Sequence, residues 1–433
     1  MTDPIMPRHA RPKKTLNPGA PAVPATHARQ RGFALLAVMV FIGLVAAVFV
    51  VRSLNADTLR ARQDQRTTEA LALAKQALLA YATTDDNRPG SLPCPDIDGD
   101  GRSLPGIEYV GQGCASYIGR LPWALLRIPE LRDGSGEQLW IAISPNFRDA
   151  GDITGNPGFI NPDTAPQLSI IQLPGEALVA IVFAPGPVLP GQTRAGASAT
   201  ILSNYLDGVN ATPTIAFSAS PPGPAFNDRL LPVTRSDIVA SAERRVAQEV
   251  ARALNDYFVR FLYLPAAASF TNAECVSPGT TAGCVPEAGV LAGRLPANVP
   301  APGTYSPATS GNPDALLRGD AADAAWFQHQ RWREQALYIV SPECVGPPAN
   351  SCAGGSLLVT GASGAPVAGA RFVVIMGGVV GPGQQRNSSA DKTQLANYID
   401  STALRNAASS LNSGVIPPSI PVPAGTVATA SPR

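Results

Sequence analysis

The longest apolar run in the chain covers residues 33–51, nineteen positions without a charged or polar side chain. Residues 52–82 follow it and are rich in Ala, Leu, Arg and Gln, which all favour helices. Neither Gly nor Pro occurs between Gly43 and Pro89, although the chain has 40 Gly and 43 Pro. An apolar stripe at a spacing of three or four residues ends this segment: Leu71, Ala74, Leu78 and Tyr81. The pattern predicts one long helix over 33–82. The alternative is a single-pass anchor followed by a separate short helix.

The apolar run has the length of a membrane span. At 1.5 Å per residue, nineteen residues cover about 28 Å, which is close to the thickness of a hydrocarbon core. Residues 1–32 contain six Lys or Arg and one acid, a charge of +5, so the other 401 residues sum to −4. Positive charge before a span keeps the N-terminus in the cytoplasm. We therefore expect a single-pass inner-membrane protein whose body is periplasmic or lies on a surface filament.

The residues before the apolar run carry a recognisable motif. Arg29, Gln30, Arg31 and Gly32 precede Phe33, which opens the helix. This segment resembles the type IV prepilin signature, in which a membrane-embedded peptidase cuts after the Gly and methylates the new N-terminus. The resemblance implies cleavage between Gly32 and Phe33, and it implies that prepilin peptidase and other pilin or pseudopilin subunits are partners. An uncleaved anchor is the alternative.

Ala37 departs from the family pattern. It is the fifth residue after the expected cut, where pilins usually have Glu. In this respect the chain is similar to the largest, K-type minor pseudopilin of type II secretion, which lacks that Glu and caps the filament tip. The resemblance implies a tip or accessory position.

The body of the chain contains an internal repeat. Four short matches occur twice in the same order, at offsets of 174, 197, 192 and 193 residues. They are Gly119–Pro122 with Gly293–Pro296, Glu137–Pro145 with Glu334–Pro342, Pro190–Arg194 with Pro382–Arg386, and Asn204–Asp207 with Asn397–Asp400. Each copy also has a short apolar strand, Ala177–Phe183 or Arg371–Met376. A helix begins the second copy, where Thr234 and Asp237 form a capping-box pattern.

These patterns predict an α+β fold. A long N-terminal transmembrane helix continues into a pilin-like lobe of a helix on an antiparallel sheet, and a second, related lobe follows. The predicted segments are a basic, Pro-rich leader (1–32), the transmembrane and pilin-type helix (33–82), a first α+β lobe with a Cys loop (83–233), a second α+β lobe (234–412) and a disordered Pro-rich tail (413–433).

All six cysteines follow the apolar run, in three neighbouring pairs. Fifteen pairings are possible in principle. Bridges within the pairs are the simplest arrangement: Cys94 with Cys114, Cys275 with Cys284, and Cys344 with Cys352. Structural disulfides would agree with an oxidising periplasm. A zinc site is disfavoured because no Cys-x-x-Cys and no nearby His occurs.

Asp96, Asp98 and Asp100, followed by Gly101, match the first half of a calcium-binding loop. Ile107 stands where the bidentate Glu would be expected, and Glu108 misses that position by one residue. Calcium is therefore a candidate ligand, and the alternative is an Asp-rich turn. No cofactor is required by the sequence.

Enzymatic and nucleic-acid-binding functions are disfavoured. The chain has three His, of which only His329 lies in the body, so a His-based triad or metal site is hard to build. The net charge of +1 does not suit a nucleic-acid partner. We expect a minor pilin-like or pseudopilin-like subunit of a type IV pilus or type II secretion filament, without enzymatic activity. The alternative is a membrane-anchored periplasmic adhesin or binding protein that does not polymerise.

Overall fold

The computed structural model describes residues 31–85, 88–110, 113–149, 158–196, 200–212, 214–276, 283–299, 315–317, 325–346, 352, 354–361 and 366–422. The side chains of residues 31–35, 48–56, 315 and 325 lie outside this description. The chain divides into two compact units between Ala61 and Arg62.

Five α-helices and fourteen short strands occur in the described residues. The helices are α1 (Arg31–Thr84), α2 (Arg235–Phe261), α3 (Ala325–His329), α4 (Ser389–Lys392) and α5 (Thr402–Asn412). The strands are β1 (Tyr109–Val110), β2 (Gly113–Cys114), β3 (Ile118–Arg120), β4 (Trp140–Ile143), β5 (Ser169–Ile170), β6 (Leu178–Ala184), β7 (Ala216–Phe217), β8 (Arg229–Thr234), β9 (Ala292–Arg294), β10 (Ala336–Val340), β11 (Leu357–Gly361), β12 (Val367–Ala370), β13 (Phe372–Met376) and β14 (Ile420–Val422).

Helix α1 confirms the prediction of one uninterrupted helix, because its 54 residues include the whole predicted range 33–82. Its expected role as a membrane span was wrong. Among the described residues, no helix is both long and apolar enough to cross a bilayer. The predictions of a transmembrane helix and of a single-pass inner-membrane location were therefore wrong.

The first copy of the repeat is a four-stranded antiparallel sheet in the order β3-β4-β6-β8. One face packs on the second half of α1, through a core that includes Leu71, Ala74, Leu78, Ile141 and Val182. The opposite face is covered by the parallel pair β5-β7 and by short 3₁₀ turns. Helix on sheet is the arrangement expected from the sequence.

The second copy has a three-stranded antiparallel sheet in the order β13-β10-β9. Helix α2 packs on one face and starts at the predicted capping box, where Thr234 and Asp237 bond reciprocally. The other face packs on α5 and on the sheet β12-β11-β14. Strand β14 lies within the range 413–433 that was predicted to be disordered.

The repeat found in the sequence is also present in the strand registers. In the first copy, the row of directly paired residues is Gly119, Ile141 and Val182. In the second copy, the row is Gly293, Tyr338 and Val374. The offsets along these rows are 174, 197 and 192, the values obtained from the sequence matches. The mixed α+β class is thus confirmed. Both copies lie in the unit that starts at Arg62, and the boundaries between the proposed lobes stay a prediction.

Candidate functional site

The first half of α1 exposes an unusual amount of apolar surface. Every described residue from 36 to 47 is exposed. Eight large side chains in this stretch are 51–70% exposed: Leu36, Val38, Met39, Val40, Phe41, Ile42, Leu44 and Val45. A helix that is apolar on all sides is normally buried. This surface, called here the apolar half of α1, is the strongest candidate for a functional surface.

The expected cleavage point lies at the start of the same helix. Gly32 and Phe33 are helical, and their side-chain surroundings lie outside the described residues. Ala37, which replaces the usual Glu, is exposed among the apolar side chains. Nothing in this geometry tests cleavage, which stays a prediction.

The predicted disulfides are confirmed. Cys94 bonds to Cys114, Cys275 to Cys284, and Cys344 to Cys352. Cys94 is fully buried, and its loop returns through the hairpin β1-β2. Each bridge closes one irregular segment, so the cysteines have a structural role.

The acidic loop brings together two of the three predicted carboxylates and the carboxylate of Glu108, which lies one residue after the last ligand position of the calcium pattern. Asp96, Asp98 and Glu108 each place a carboxylate oxygen within 4.8 Å of the others. Asp100 is exposed and does not belong to this group. Glu108, one residue away from the expected position, is buried and takes its place. The residue types therefore suit a hard cation such as calcium.

The hydrogen bonds of Asp96 explain the same cluster without an ion. Its Oδ1 accepts from the N–H groups of Asp98 and Gly99, at 3.1 and 2.6 Å, and its Oδ2 accepts from Gly101 at 2.7 Å. Burial raises the pKa of Asp96, and the bonds from Gly99 and Gly101 oppose that rise. Three N–H groups thus use most of the acceptor capacity of this carboxylate. The arrangement favours the turn alternative, and calcium binding stays a prediction.

The repeated Gln-x-Arg segments form the same network twice. The Arg194 Nε donates to the carbonyl of Asn204 at 2.6 Å, and Nη1 donates to the carbonyl of Gly186 at 2.8 Å. In the second copy, Arg386 makes equivalent bonds to Asn397 and Gly378, at 2.6 and 2.9 Å. Each guanidinium also stacks on the Tyr that follows the Asn. These residues fix the turn after a strand, so their recurrence reflects a shared structural role.

His329, the histidine of the body that the sequence singled out, ends the short helix α3. Within the described residues, the acidic loop is the only group of three or more His, Cys, Asp or Glu close enough to share an ion.

Two features of the structure were missed by the sequence argument. Asp163 of the first copy pairs with Arg386 of the second, and a groove of about 600 Å³ opens beside β3. Asp163 lies in a Gly- and Pro-rich stretch without any pattern. The groove has no pattern of its own in the sequence, because its lining comes from separate segments: 115–118, 143 and 145, 168, and 214–215.

Comparison of the chain with protein-family models, with curated proteins and with solved structures finds no match.

Proposed function

We propose that this protein is a minor pilin-like or pseudopilin-like subunit that assembles through the apolar half of α1. The observation that carries the proposal is the exposure of eight large apolar side chains in 36–47 on a helix that continues into a folded α+β unit. Apolar surface of this extent marks an interaction site. In an assembly, the matching helices of neighbouring subunits would bury it from several sides.

The second half of α1 packs on the folded unit, which supports the assignment of the first half to assembly. From Thr67 onward, the helix buries Ala70, Leu71, Ala74 and Leu78 against the first sheet. The half-buried Lys75 of this half also bonds to α2 and β8, because its Nζ donates to the Asp237 carboxylate at 2.7 Å and to the carbonyl of Pro232 at 3.1 Å. One half of the helix therefore belongs to the fold, and the other half is available to partners.

The prepilin-like segment Arg29–Phe33 supplies the second part of the proposal. Prepilin peptidase would cut after Gly32 and leave Phe33 as the N-terminal residue. The new terminus would then be followed at once by the apolar half of α1. Ala37 provides no carboxylate to pair with a neighbouring terminus, which favours a tip or accessory position over a place in the repeating shaft.

Co-expression with a prepilin peptidase and the other filament subunits tests the proposal. N-terminal sequencing should give Phe33, and the chain should co-purify with the filament fraction. Gly32→Ala should abolish both results. Gly43→Ala is the matched control, because a Cβ on Gly43 would meet nothing within 4 Å. A chain that keeps its leader, or that is cleaved but never enters the filament fraction, would contradict the proposal.

A further inference from the structure

The groove beside β3 lies on the first copy. It has a volume of about 600 Å³ and is lined mainly by apolar side chains, among them Tyr117, Ile118, Leu168 and Ile215. Ile118 and Leu168 are buried in its floor, and Ile215 is 58% exposed at its rim. Its size and lining are those of a binding groove.

The internal repeat shows what occupies the same place in the second copy. Because β3 and β9 are offset by 174 residues, Tyr117 and Ile118 correspond to Leu291 and Ala292. In the second copy, these two residues are covered by the end of α5. The Asn412 Oδ1 accepts from the N–H groups of both residues at 2.8 Å. Its Nδ2 donates to the carbonyl of Ala292 at 2.7 Å.

The floor of the groove has an equivalent under α5 as well. Leu168 pairs with Leu178 in the first copy, and Leu357 pairs with Ala370 in the second. Leu178 and Ala370 are separated by 192 residues, the offset that relates β6 to β13. Leu168 therefore corresponds to Leu357. Leu357 belongs to the same core as Leu404, Ala408 and Leu411 of α5. The helix thus rests on the residues that correspond to the lining of the groove.

The first copy lacks a helix at this place because its chain is shorter there. Phe217 of β7 comes ten residues after Asp207, whereas Ile420 of β14 comes twenty residues after Asp400. A single 3₁₀ turn, Gly208–Ala211, replaces α5. Strands β7 and β14 have otherwise the same role, since each forms a parallel pair, with β5 and with β11 respectively.

A local side chain replaces the polar contacts of Asn412 and leaves the apolar surface uncovered. The Ser116 hydroxyl donates to the carbonyl of Ile118 at 2.6 Å and accepts from its N–H at 3.2 Å. These are the groups that Asn412 bonds on Ala292. In the first copy, these two groups of Ile118 are therefore bonded without a helix in the groove.

We propose that this groove binds an amphipathic helix of a partner protein, in the position that α5 occupies in the second copy. The buried residues of α5 define the expected face: Leu404, Ala407, Ala408 and Leu411, at positions i, i+3, i+4 and i+7. This is the usual spacing of a helix bound in a groove. The apolar half of α1 is a poorer occupant, because a groove would cover only one of its apolar sides. The proposal is independent of filament assembly, since neither its residues nor its test involve α1.

A peptide with the sequence of residues 401–414 is the probe. A lactam bridge between positions 402 and 406, both exposed in α5, would hold it helical, because so short a helix is marginal in water. Fluorescence anisotropy with the full chain should show saturable binding. A peptide with Leu404→Asp and Leu411→Asp should not bind. A photo-crosslinker at position 408 should label residues 115–118 or 214–215.

Two variants of the full chain make the test specific. Ile215→Glu places a charge at the rim of the groove and should weaken binding by about tenfold or more, which is about 1.4 kcal/mol. Ile171→Glu is the matched control, because Ile171 is also 58% exposed and does not line the groove. It should leave the affinity unchanged. Absence of saturable binding, equal loss in both variants, or crosslinks elsewhere would each overturn the proposal.

Discussion

Asp163 of the first copy and Arg386 of the second form an ion pair, with Oδ1 and Nη1 3.0 Å apart. The side chain of Arg386 is only 1% exposed. Gln335 strengthens the pair, since its Nε2 donates to Asp163 Oδ2 at 2.7 Å and its Oε1 accepts from Arg386 at 2.8 Å. In the first copy, the equivalent Arg194 pairs with Glu137 of the same copy. Because Arg386 pairs with a residue of the other copy, its buried charge joins the two copies.

Replacing Asp163 should therefore destabilise the protein strongly. Asp163→Asn removes the charge and turns the bond with Gln335 into a contact between two N–H groups. Loss of one partner from a buried pair costs about 3 kcal/mol, because the remaining charge stays buried. Urea unfolding followed by circular dichroism would measure the loss.

Asp64→Asn is the control for this change. Asp64 also pairs with an arginine across the fold, Arg229 at 3.3 Å, but its side chain is 75% exposed. An exposed pair contributes about 0–1 kcal/mol. Equal losses in the two variants would mean that burial of Arg386 does not determine the effect.

Glu243 gives the interface between the copies a pH dependence. Burial raises the pKa of Glu243 to about 7, and Asp163 adds to the rise, while the Gly378 N–H and Arg386 oppose it. Arg235 of the same helix also faces this group of charges. Because the folded state binds the proton more tightly than the unfolded state, stability should fall as the pH rises from about 4.5 to about 7.

Glu243→Gln should remove this part of the pH dependence. The amide oxygen can still accept from Gly378, so the variant should be more stable than the parent at pH 8, by on the order of 2 kcal/mol. At pH 4 the two proteins should be equally stable. Unfolding curves at both pH values would measure this, and equal stability at pH 8 would contradict it.

Glu343→Gln should change the stability in the opposite direction to Glu243→Gln. Burial acts to raise the pKa of Glu343, but the hydroxyls of Ser341 and Ser356 donate to its carboxylate and lower it overall. Glu343 therefore contributes to stability above the pKa that it has in the unfolded chain, and this contribution is lost as the pH falls through its pKa in the folded protein. This variant should therefore lose stability at neutral pH.

The parts of the fold that sequence reasoning predicted are those with a local signal. The absence of Gly and Pro predicted α1. The short spacing of the cysteines predicted the disulfides, because closing a small loop costs little conformational entropy. The repeat was visible because paired strands must keep their register, which preserves short motifs such as Gly119–Pro122. Asp163 and the groove depend on contacts between distant segments. No local pattern marks them.

The acidic loop and α1 show two different limits of pattern matching. The calcium template placed its last ligand at Ile107, whereas the fold brings in Glu108, because a loop closed by a disulfide does not follow the geometry of a helix-flanked loop. The apolar run of α1 has the composition of a membrane span, but no helix among the described residues is long and apolar enough to cross a bilayer.

Gly134 should be intolerant of any side chain. A Cβ at this position would lie 2.2 Å from the carbonyl oxygen of Gln63 in α1. The Gly134 N–H also donates to the Thr67 hydroxyl at 2.9 Å, so the turn is held tightly against the helix. Gly134→Ala should cost about 2 kcal/mol, because such overpacking forces the backbone apart.

Gly223→Ala is the matched control, since a Cβ there would meet nothing within 4 Å. It should change the free energy of unfolding by less than about 0.5 kcal/mol. The difference between the two variants would measure how closely the turn approaches α1. Equal stability of both would show that the turn can move away without loss.

Removal of calcium should leave the thermal stability of the protein unchanged. Asp96 already accepts three backbone N–H bonds, and Glu108 Oε2 accepts one from Leu104, so these carboxylates are occupied without an ion. Calorimetry in EDTA and in millimolar calcium should give the same Tm. Asp96→Ala should cost about 2 kcal/mol in both buffers, because it leaves buried N–H groups without an acceptor. A Tm that rises with calcium, and does so no longer in Glu108→Gln, would instead establish an ion site formed by Asp96, Asp98 and Glu108.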